Sequence, residues 1–204
     1  PHILARDANG VVVASFYAYN AQFAGGVRVS AGDVDGDGRD EIVTSTQGGG
    51  GPHVRVFRQD GSVVGEFMAY HPQFYGGVDV AVGDIDNDGK DEIVTSAGPG
   101  GGPHILAFDT AGNVRASFYA YGAQFTGGAK VSVGNVDPAR PGKEIVVAPW
   151  LNGGPHVRVF NKSGAVLKEK FYLEVWWNGR YDVAASESVH VGTGWNRRTS
   201  IRTV

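Results

Sequence analysis

The stretch Gly51-Pro52-His53-Val54-Arg55-Val56-Phe57 decides the fold, because it returns along the chain at a fixed interval. It recurs at residues 102–108 and 154–160, and Pro1-His2-Ile3-Leu4 is the same phrase without its beginning. The histidines of the four phrases stand 51, 51 and 52 residues apart. A constant period of this length predicts an array of one repeated structural unit.

Two other phrases keep the same register. Phe16-Tyr17-Ala18-Tyr19 and Phe23-Ala24-Gly25-Gly26 each return in the next two units. Every unit also holds four short runs rich in Val, Ile, Thr and aromatic residues, bounded by Gly, Asp, Asn or Pro, which is typical of strands. In the first unit these runs are residues 12–19, 27–34, 41–46 and 53–57. No segment shows the apolar period of a helix. The chain is therefore predicted to be all-β, a β-propeller of about four blades built from four-stranded repeats.

The domain organisation predicted is a single repeat domain over residues 1–204. It consists of a stray strand at 1–6 and repeat units at about 11–58, 62–109, 113–160 and 165–204. In the last unit only Ser186-Glu187-Ser188 stands where the other units have a long loop, and terminal repeats are often atypical. The stray strand suggests either that further blades precede it or that it closes a ring with the far end. The sequence is consistent with a ring of four blades. It is equally consistent with a ring of five or more blades, formed from a longer parent chain or from two chains by self-association.

Composition narrows the classes of function. The net charge of −3 does not suggest a nucleic-acid partner, and no apolar run is long enough to be inserted into a membrane. With no cysteine, disulfides are excluded, so a secreted domain needs another stabiliser such as bound metal. The first residues lack the features of a signal peptide and begin inside a repeat, so we expect a processed form or a piece of a longer protein.

The chemistry lies in two acidic loops, Asp33-Val34-Asp35-Gly36-Asp37-Gly38-Arg39-Asp40-Glu41 and the matching residues 84–92. Alternate acids in a tight loop direct carboxylates to one centre, and Ca²⁺ takes six to eight oxygen ligands. Position 7 is expected to give a backbone carbonyl. The predicted ligands of two Ca²⁺ ions are Asp33, Asp35, Asp37, Arg39, Glu41, Asp84, Asp86, Asp88, Lys90 and Glu92.

The alternative is that these loops are ordinary Asp- and Gly-rich hairpin turns. We favour Ca²⁺, because several carboxylates within nine residues would repel one another without a cation. An EF-hand is rejected, since position 12 is Thr44 or Thr95 within a strand. The third copy, residues 135–144, has Ala139 in place of an acid and adds Arg140, so we expect no Ca²⁺ there.

On these residues the chain resembles the FG-GAP/VCBS repeat family, the blades of integrin α-subunit propellers and of many bacterial extracellular proteins. The resemblance rests on Asp-x-Asp-x-Asp-Gly-x-Asp-Glu followed by Ile-Val-Thr-Ser and a Gly-rich turn. It extends to about residue 180. It implies a calcium-stabilised extracellular propeller with a ligand-binding or scaffolding role.

Two other sets of residues are candidates for a site. The repeated His2, His53, His104 and His156 favour a structural role, hydrogen-bonding a neighbouring turn, and the aromatic phrases favour packing between blades. The candidate ligand-binding residues are Trp176, Trp177 and Trp195, with arginines nearby in sequence, although they could equally cap the array.

No catalytic motif is present, so we expect no enzyme activity. The function predicted is a non-catalytic, secreted or cell-surface module for adhesion or lectin-like binding, with a glycan or protein partner. Two alternatives remain: the propeller domain of a secreted polysaccharide lyase or hydrolase, and a structural spacer of a surface protein.

Overall fold

The computed structural model describes residues 1–172, 180–194 and 202–203. All regular structure in these residues is β-strand. The strands are β1 (His2–Arg6), β2 (Val12–Tyr17), β3 (Val27–Gly32), β4 (Glu41–Thr46), β5 (His53–Phe57), β6 (Val63–Met68), β7 (Val78–Gly83), β8 (Glu92–Ala97), β9 (His104–Phe108), β10 (Val114–Tyr119), β11 (Ala129–Gly134), β12 (Glu144–Pro149), β13 (His156–Phe160), β14 (Val166–Phe171), β15 (Arg180–Ala185), β16 (Val189–Gly194) and β17 (Arg202–Thr203).

The strands form a series of antiparallel sheets in chain order. An N-terminal hairpin (β1–β2) is followed by a first sheet (β3–β6), a second (β7–β10), a third (β11–β14) and a fourth (β15–β17). The prediction of an all-β chain of repeated four-stranded sheets is confirmed, and ring closure stays a prediction. Each sequence repeat is offset from the sheets, because it starts with the outer strand of one sheet and supplies the first three strands of the next.

The second strand of each complete sheet is central, and its sequence reflects this position. All six residues of β4, β8 and β12 are buried. Each of these strands begins with Glu-Ile-Val, and its β-branched isoleucine and valine suit a strand that is covered on both faces. The outer strands β2, β6, β10 and β14 alternate or are exposed, as expected at a sheet edge.

The core lies between consecutive sheets. One cluster packs Val54 and Val56 of the first sheet against Val78 and Ile93 of the second. Equivalent clusters join the second sheet to the third, the third to the fourth, and the N-terminal hairpin to the first. Neighbouring sheets also touch through their first strands, in the order β3, β7, β11 and β15. No helix is present in the described residues that could cross a membrane.

The aromatic phrases pack between sheets, as expected from their repetition. Phe16, Phe67 and Phe118 each contact a phenylalanine of the following sheet, with ring centroids 4.6–4.9 Å apart. The final tyrosine of each phrase reaches the same sheet with its hydroxyl: Tyr70 donates to the His104 carbonyl at 2.8 Å.

A ladder of alternating charge runs along the first strands. Arg28, Asp79, Lys130 and Asp182 hold the same position in successive sheets. The Asp79 carboxylate lies 3.5 Å from Arg28 and 3.3 Å from Lys130, and Lys130 lies 3.7 Å from Asp182. The buried indole of Trp150, which follows β12, lies under both Arg28 and Lys130. A residue of the third sheet therefore reaches the first sheet, which brings their inner edges close together.

Candidate metal centre

The first acidic loop connects β3 to β4 and folds around the carboxylate of Asp33. Its Oδ1 accepts hydrogen bonds from the Gly36 and Asp37 amides at 2.8 and 3.1 Å, and its Oδ2 accepts one from Gly38 at 2.9 Å. Gly36 and Gly38 both have positive φ, near 80° and 86°, which only glycine adopts without strain. This turn brings carboxylate oxygens of Asp33, Asp35 and Asp37 within 4.8 Å of one another.

The second acidic loop connects β7 to β8 in the same way. Asp84 accepts from the amides of Asn87, Asp88 and Gly89 at 2.6, 3.2 and 3.1 Å. Here the oxygens that lie within 4.8 Å of one another belong to Asp84, Asp86 and Glu92. The two loops thus bring together three predicted ligands each, with Glu41 outside the first group and Asp88 outside the second.

The glutamates that end the loops are buried at the start of the central strands. Glu41 accepts from the Val34 amide at 3.2 Å, and Glu92 accepts from the Ile85 amide at 3.0 Å. Burial, followed by the nearby Asp35 charge, raises the pKa of Glu41. Burial raises the pKa of Glu92 to about 7, although the Ile85 hydrogen bond opposes the shift. Without a cation, the ionised form of the buried glutamate at each site is therefore unfavourable in free energy.

The atoms of the second loop fit a hard divalent cation. The Oδ1 atom of Asp86 is buried and has no hydrogen-bond partner, and an unpaired buried carboxylate oxygen is costly. Every side-chain atom that could act as a ligand in the two clusters is a carboxylate oxygen, which is the ligand type that Ca²⁺ prefers. Asp33, Asp35, Asp37 and Glu41 would hold an ion in the first loop, and Asp84, Asp86, Asp88 and Glu92 one in the second.

The residues at position 7 of the two acidic loops carry their charges on exposed side chains. Arg39 and Lys90 are exposed. The Lys90 side chain instead packs over Gly36 of the first loop, where it would contact any side chain at that position. Their carbonyls therefore remain the atoms with which these two residues would act as ligands.

Basic side chains approach the second acid of each loop from outside. The Arg58 guanidinium lies 3.3 Å from Asp35 Oδ2, and the Lys162 ammonium lies 3.9 Å from Asp86 Oδ2. Both cations are more than half exposed, so these ion pairs are weak and screened. They partly offset the clustered negative charge without occupying its centre.

The third loop, between β11 and β12, is internally paired. Arg140 forms an ion pair with Asp137 at 3.0 Å, and Glu144 accepts from the Val136 and Asp137 amides at 2.8 and 3.0 Å. In the fourth sheet a short turn replaces the loop, since Ala185 pairs directly with Val189. The absence of Ca²⁺ from the third loop remains a prediction.

The repeated histidines bond within their own sheets and do not converge. His2 and His104 each contact a serine on the neighbouring strand, at 3.1 and 2.9 Å. His53 and His156 contact Glu66 and Glu169 there, at 3.5 and 3.2 Å. The expected structural role holds, but the partner is an adjacent strand and not a turn. Trp176, Trp177 and Trp195 lie outside the described residues.

Two features of the structure were not predicted from the sequence. The charge ladder of Arg28, Asp79, Lys130 and Asp182 shares the spacing of the histidines, so the repeat register alone could have revealed it. The contacts of Asp91 between loops have no such signal, because they join positions 58 residues apart in sequence.

The comparisons with known proteins agree with this geometry. Residues 33–95 match the family model of the FG-GAP-like repeat. The resemblance inferred from the loop motif is thus confirmed over the two acidic loops and the strands between them. No curated protein sequence matches the chain.

Solved structures share the fold at low sequence identity. A Bacteroides caccae protein of unknown function is 15% identical with a TM-score of 0.51, over 96% of this chain and 65% of that one. Rhamnogalacturonan lyase YesW is 13% identical with a TM-score of 0.51, over 85% of this chain and 37% of that one. The chain therefore spans less than two thirds of either relative, and these similarities show the fold alone.

Proposed function

We propose that this chain is a non-catalytic, calcium-stabilised β-propeller module that binds an extracellular partner. One observation carries the calcium part of the proposal: two FG-GAP-like loops each gather three carboxylates within 4.8 Å, and one of these carboxylates has a buried oxygen without a partner. Bound Ca²⁺ would supply positive charge that neutralises these acids. The loops' own backbone amides already hold Asp33 and Asp84 in place, so little ordering is left for the ion to impose.

The propeller arrangement is supported by the inner edges of the sheets. The first strands of four successive sheets adjoin one another, and Trp150 of the third sheet reaches Arg28 of the first. Sheets stacked in this manner around a common line are the geometry of propeller blades. Each acidic loop lies at the end of a first strand, where it connects the first strand of a blade to the second strand of the same blade.

The partner is proposed to be a glycan or a protein outside the cell. FG-GAP-like repeats in the resembling family have this role, and the described residues show no cluster of acids or histidines beyond the two loops that would suggest catalysis. Extracellular calcium-binding modules commonly bind Ca²⁺ with a Kd of about 10⁻⁴ to 10⁻³ M. Sites of this affinity suit a module that is secreted or displayed on the cell surface.

A second candidate is the propeller domain of a polysaccharide-cleaving enzyme. It is favoured by the similarity in fold to a rhamnogalacturonan lyase, of which this chain spans 37%. Glycan binding without turnover by the chain would support the module. Cleavage of a polysaccharide would support the enzyme and contradict our proposal.

The test of calcium stabilisation compares matched loop variants. Asp35→Ala and Asp86→Ala each remove a carboxylate from one site, whereas Asp137→Ala changes the third loop. At a Ca²⁺ concentration of about 100 Kd, each site contributes about 2.7 kcal/mol, or about 5 to 10 °C in Tm. We expect each site variant to lose about that much of the calcium-dependent rise in Tm, and Asp137→Ala to keep it. An equal rise in all three variants would contradict the proposal.

A further inference from the structure

The aspartate at the eighth position of the second loop, Asp91, contacts the first loop. Its Oδ2 accepts a hydrogen bond from the Asp33 amide at 3.1 Å, and its own amide donates to the Asp33 carbonyl at 2.9 Å. Asp33 is the residue around which the first loop folds. Asp91 therefore forms hydrogen bonds with both the amide and the carbonyl of Asp33. Its own carboxylate is not one of the three that cluster in the second loop.

The other carboxylate oxygen of Asp91 is held by the third loop. Lys143 Nζ lies 3.3 Å from Asp91 Oδ1, and the Asp91 side chain is only 16% exposed. The Lys143 amide also donates to the Asp84 carbonyl at 2.7 Å, which repeats the Asp91–Asp33 backbone contact one sheet further on. The three loops are thus joined in series.

The sequence leaves room for this contact. A side chain at Gly32, the residue before Asp33, would collide with the Asp91 carboxylate. The equivalent Gly83 lies against the side-chain stem of Lys143. A glycine therefore precedes each acidic loop at the point where the residue before the closing glutamate of the following loop packs.

We propose that Asp91 is a positioning residue for the first calcium site. This inference rests on the calcium binding proposed above. By fixing the backbone of Asp33, the second loop orients a ligand to which it contributes no oxygen, and groups of this kind strongly affect metal affinity.

Asp40 provides a matched control. It occupies the eighth position of the first loop, but it is exposed and forms no hydrogen bond or ion pair with any described residue. Asp91→Ala and Asp40→Ala remove the same charge from equivalent positions. In calorimetric titrations of the full chain with Ca²⁺, we expect Asp91→Ala to weaken one of two sites about tenfold, and Asp40→Ala to change neither.

Three further variants assign the effect. In an Asp35→Ala background, where only the second site remains, Asp91→Ala should leave the remaining affinity unchanged. Asp91→Asn keeps an oxygen that can accept from Asp33, so it should restore most of the lost affinity; a pure charge effect would give no rescue. If Asp91→Ala does not fold, Lys143→Met tests the same link by releasing the carboxylate, and we expect it to weaken the first site.

The outcomes separate the two proposals. Wild-type protein that binds no Ca²⁺ would contradict the proposed function itself. Two sites in the wild type with equal behaviour of Asp91→Ala and Asp40→Ala, or a loss confined to the second site, would overturn the role of Asp91 alone.

Discussion

At the scale of single residues, three tyrosine hydroxyls tie the N-terminal hairpin, the first sheet and the second sheet each to the sheet that follows. Tyr19, Tyr70 and Tyr121 donate to the carbonyls of His53, His104 and His156 at 2.8, 2.8 and 2.6 Å. These carbonyls begin the third strand of the following sheet. The repeated tyrosine is therefore a fastening between sheets as well as a packed ring.

Removing one of these hydroxyls should destabilise the protein. Tyr70→Phe leaves the His104 carbonyl without that donor, and we expect a loss of about 1 to 2 kcal/mol in the free energy of unfolding. The control is Tyr119→Phe, because Tyr119 is 56% exposed and should change stability by less than about 0.5 kcal/mol. Urea denaturation measures both, and equal values would contradict the role assigned to Tyr70.

The same hydroxyls predict an alkaline transition. Burial raises the pKa of Tyr19 to about 12, and it also raises the pKa of Tyr70 and Tyr121. Since the folded state favours the protonated phenol, this contribution is complete below the unfolded pKa of about 10 and is lost as pH rises through about 12. Phenolate absorbance of these three tyrosines should appear only together with loss of the β circular dichroism. Ionisation of all eight tyrosines near pH 10 with the sheets intact would contradict this.

At the scale of strands and loops, glycines at the turns let neighbouring sheets approach each other. Gly77 precedes β7 with φ near 85°, and a side chain there would collide with the Gln47 carbonyl of the preceding sheet. Gly10, in the turn between β1 and β2, has φ near 80° but open space around it. The two positions share the backbone requirement and differ only in the crowding.

Alanine at these two positions should therefore have unequal effects. Gly10→Ala should lower the free energy of unfolding only by the strain of alanine in a left-handed conformation, about 1 to 2 kcal/mol. Gly77→Ala adds displacement of a backbone carbonyl, so we expect a loss larger by at least about 1 kcal/mol. Thermal or urea unfolding of both variants measures the difference. A smaller effect for Gly77→Ala would show that the sheets are not packed as described.

At the scale of the whole molecule, the charge ladder joins the inner edges of the sheets. Asp79 is 6% exposed and lies between Arg28 and Lys130, while its carboxylate also accepts from the Val131 amide at 3.1 Å. Burial raises the pKa of Asp79, although Lys130 opposes the shift. Removal of one partner from a buried charge pair usually costs more than the pair contributes.

We expect Asp79→Asn to destabilise the protein by about 3 kcal/mol, since it leaves the Lys130 ammonium buried without its main partner. Asp182→Asn is the matched change in the fourth sheet, where the aspartate side chain is 71% exposed. It should cost less than about 1 kcal/mol. Similar losses of denaturation free energy for both would contradict a special role for the buried position.

The sequence predicted the strands well because their period and composition are local. The runs 41–46 and 53–57 match β4 and β5, whereas β2 and β3 end two residues earlier than the predicted runs, at Tyr17 and Gly32. Gly32 ends β3 because Asp33 turns into the loop, and Ala18 and Tyr19 leave β2 toward the next sheet. Inter-sheet contacts such as Asp91 with Asp33 could not be predicted, since they depend on how the sheets stack.

The most direct test of the central claim is native mass spectrometry of the intact protein in Ca²⁺, which counts ions and chains in each particle. We expect two Ca²⁺ ions per chain, reduced to one by Asp35→Ala or by Asp86→Ala. Particles without Ca²⁺, or with the same number of ions in both variants as in the wild type, would contradict it.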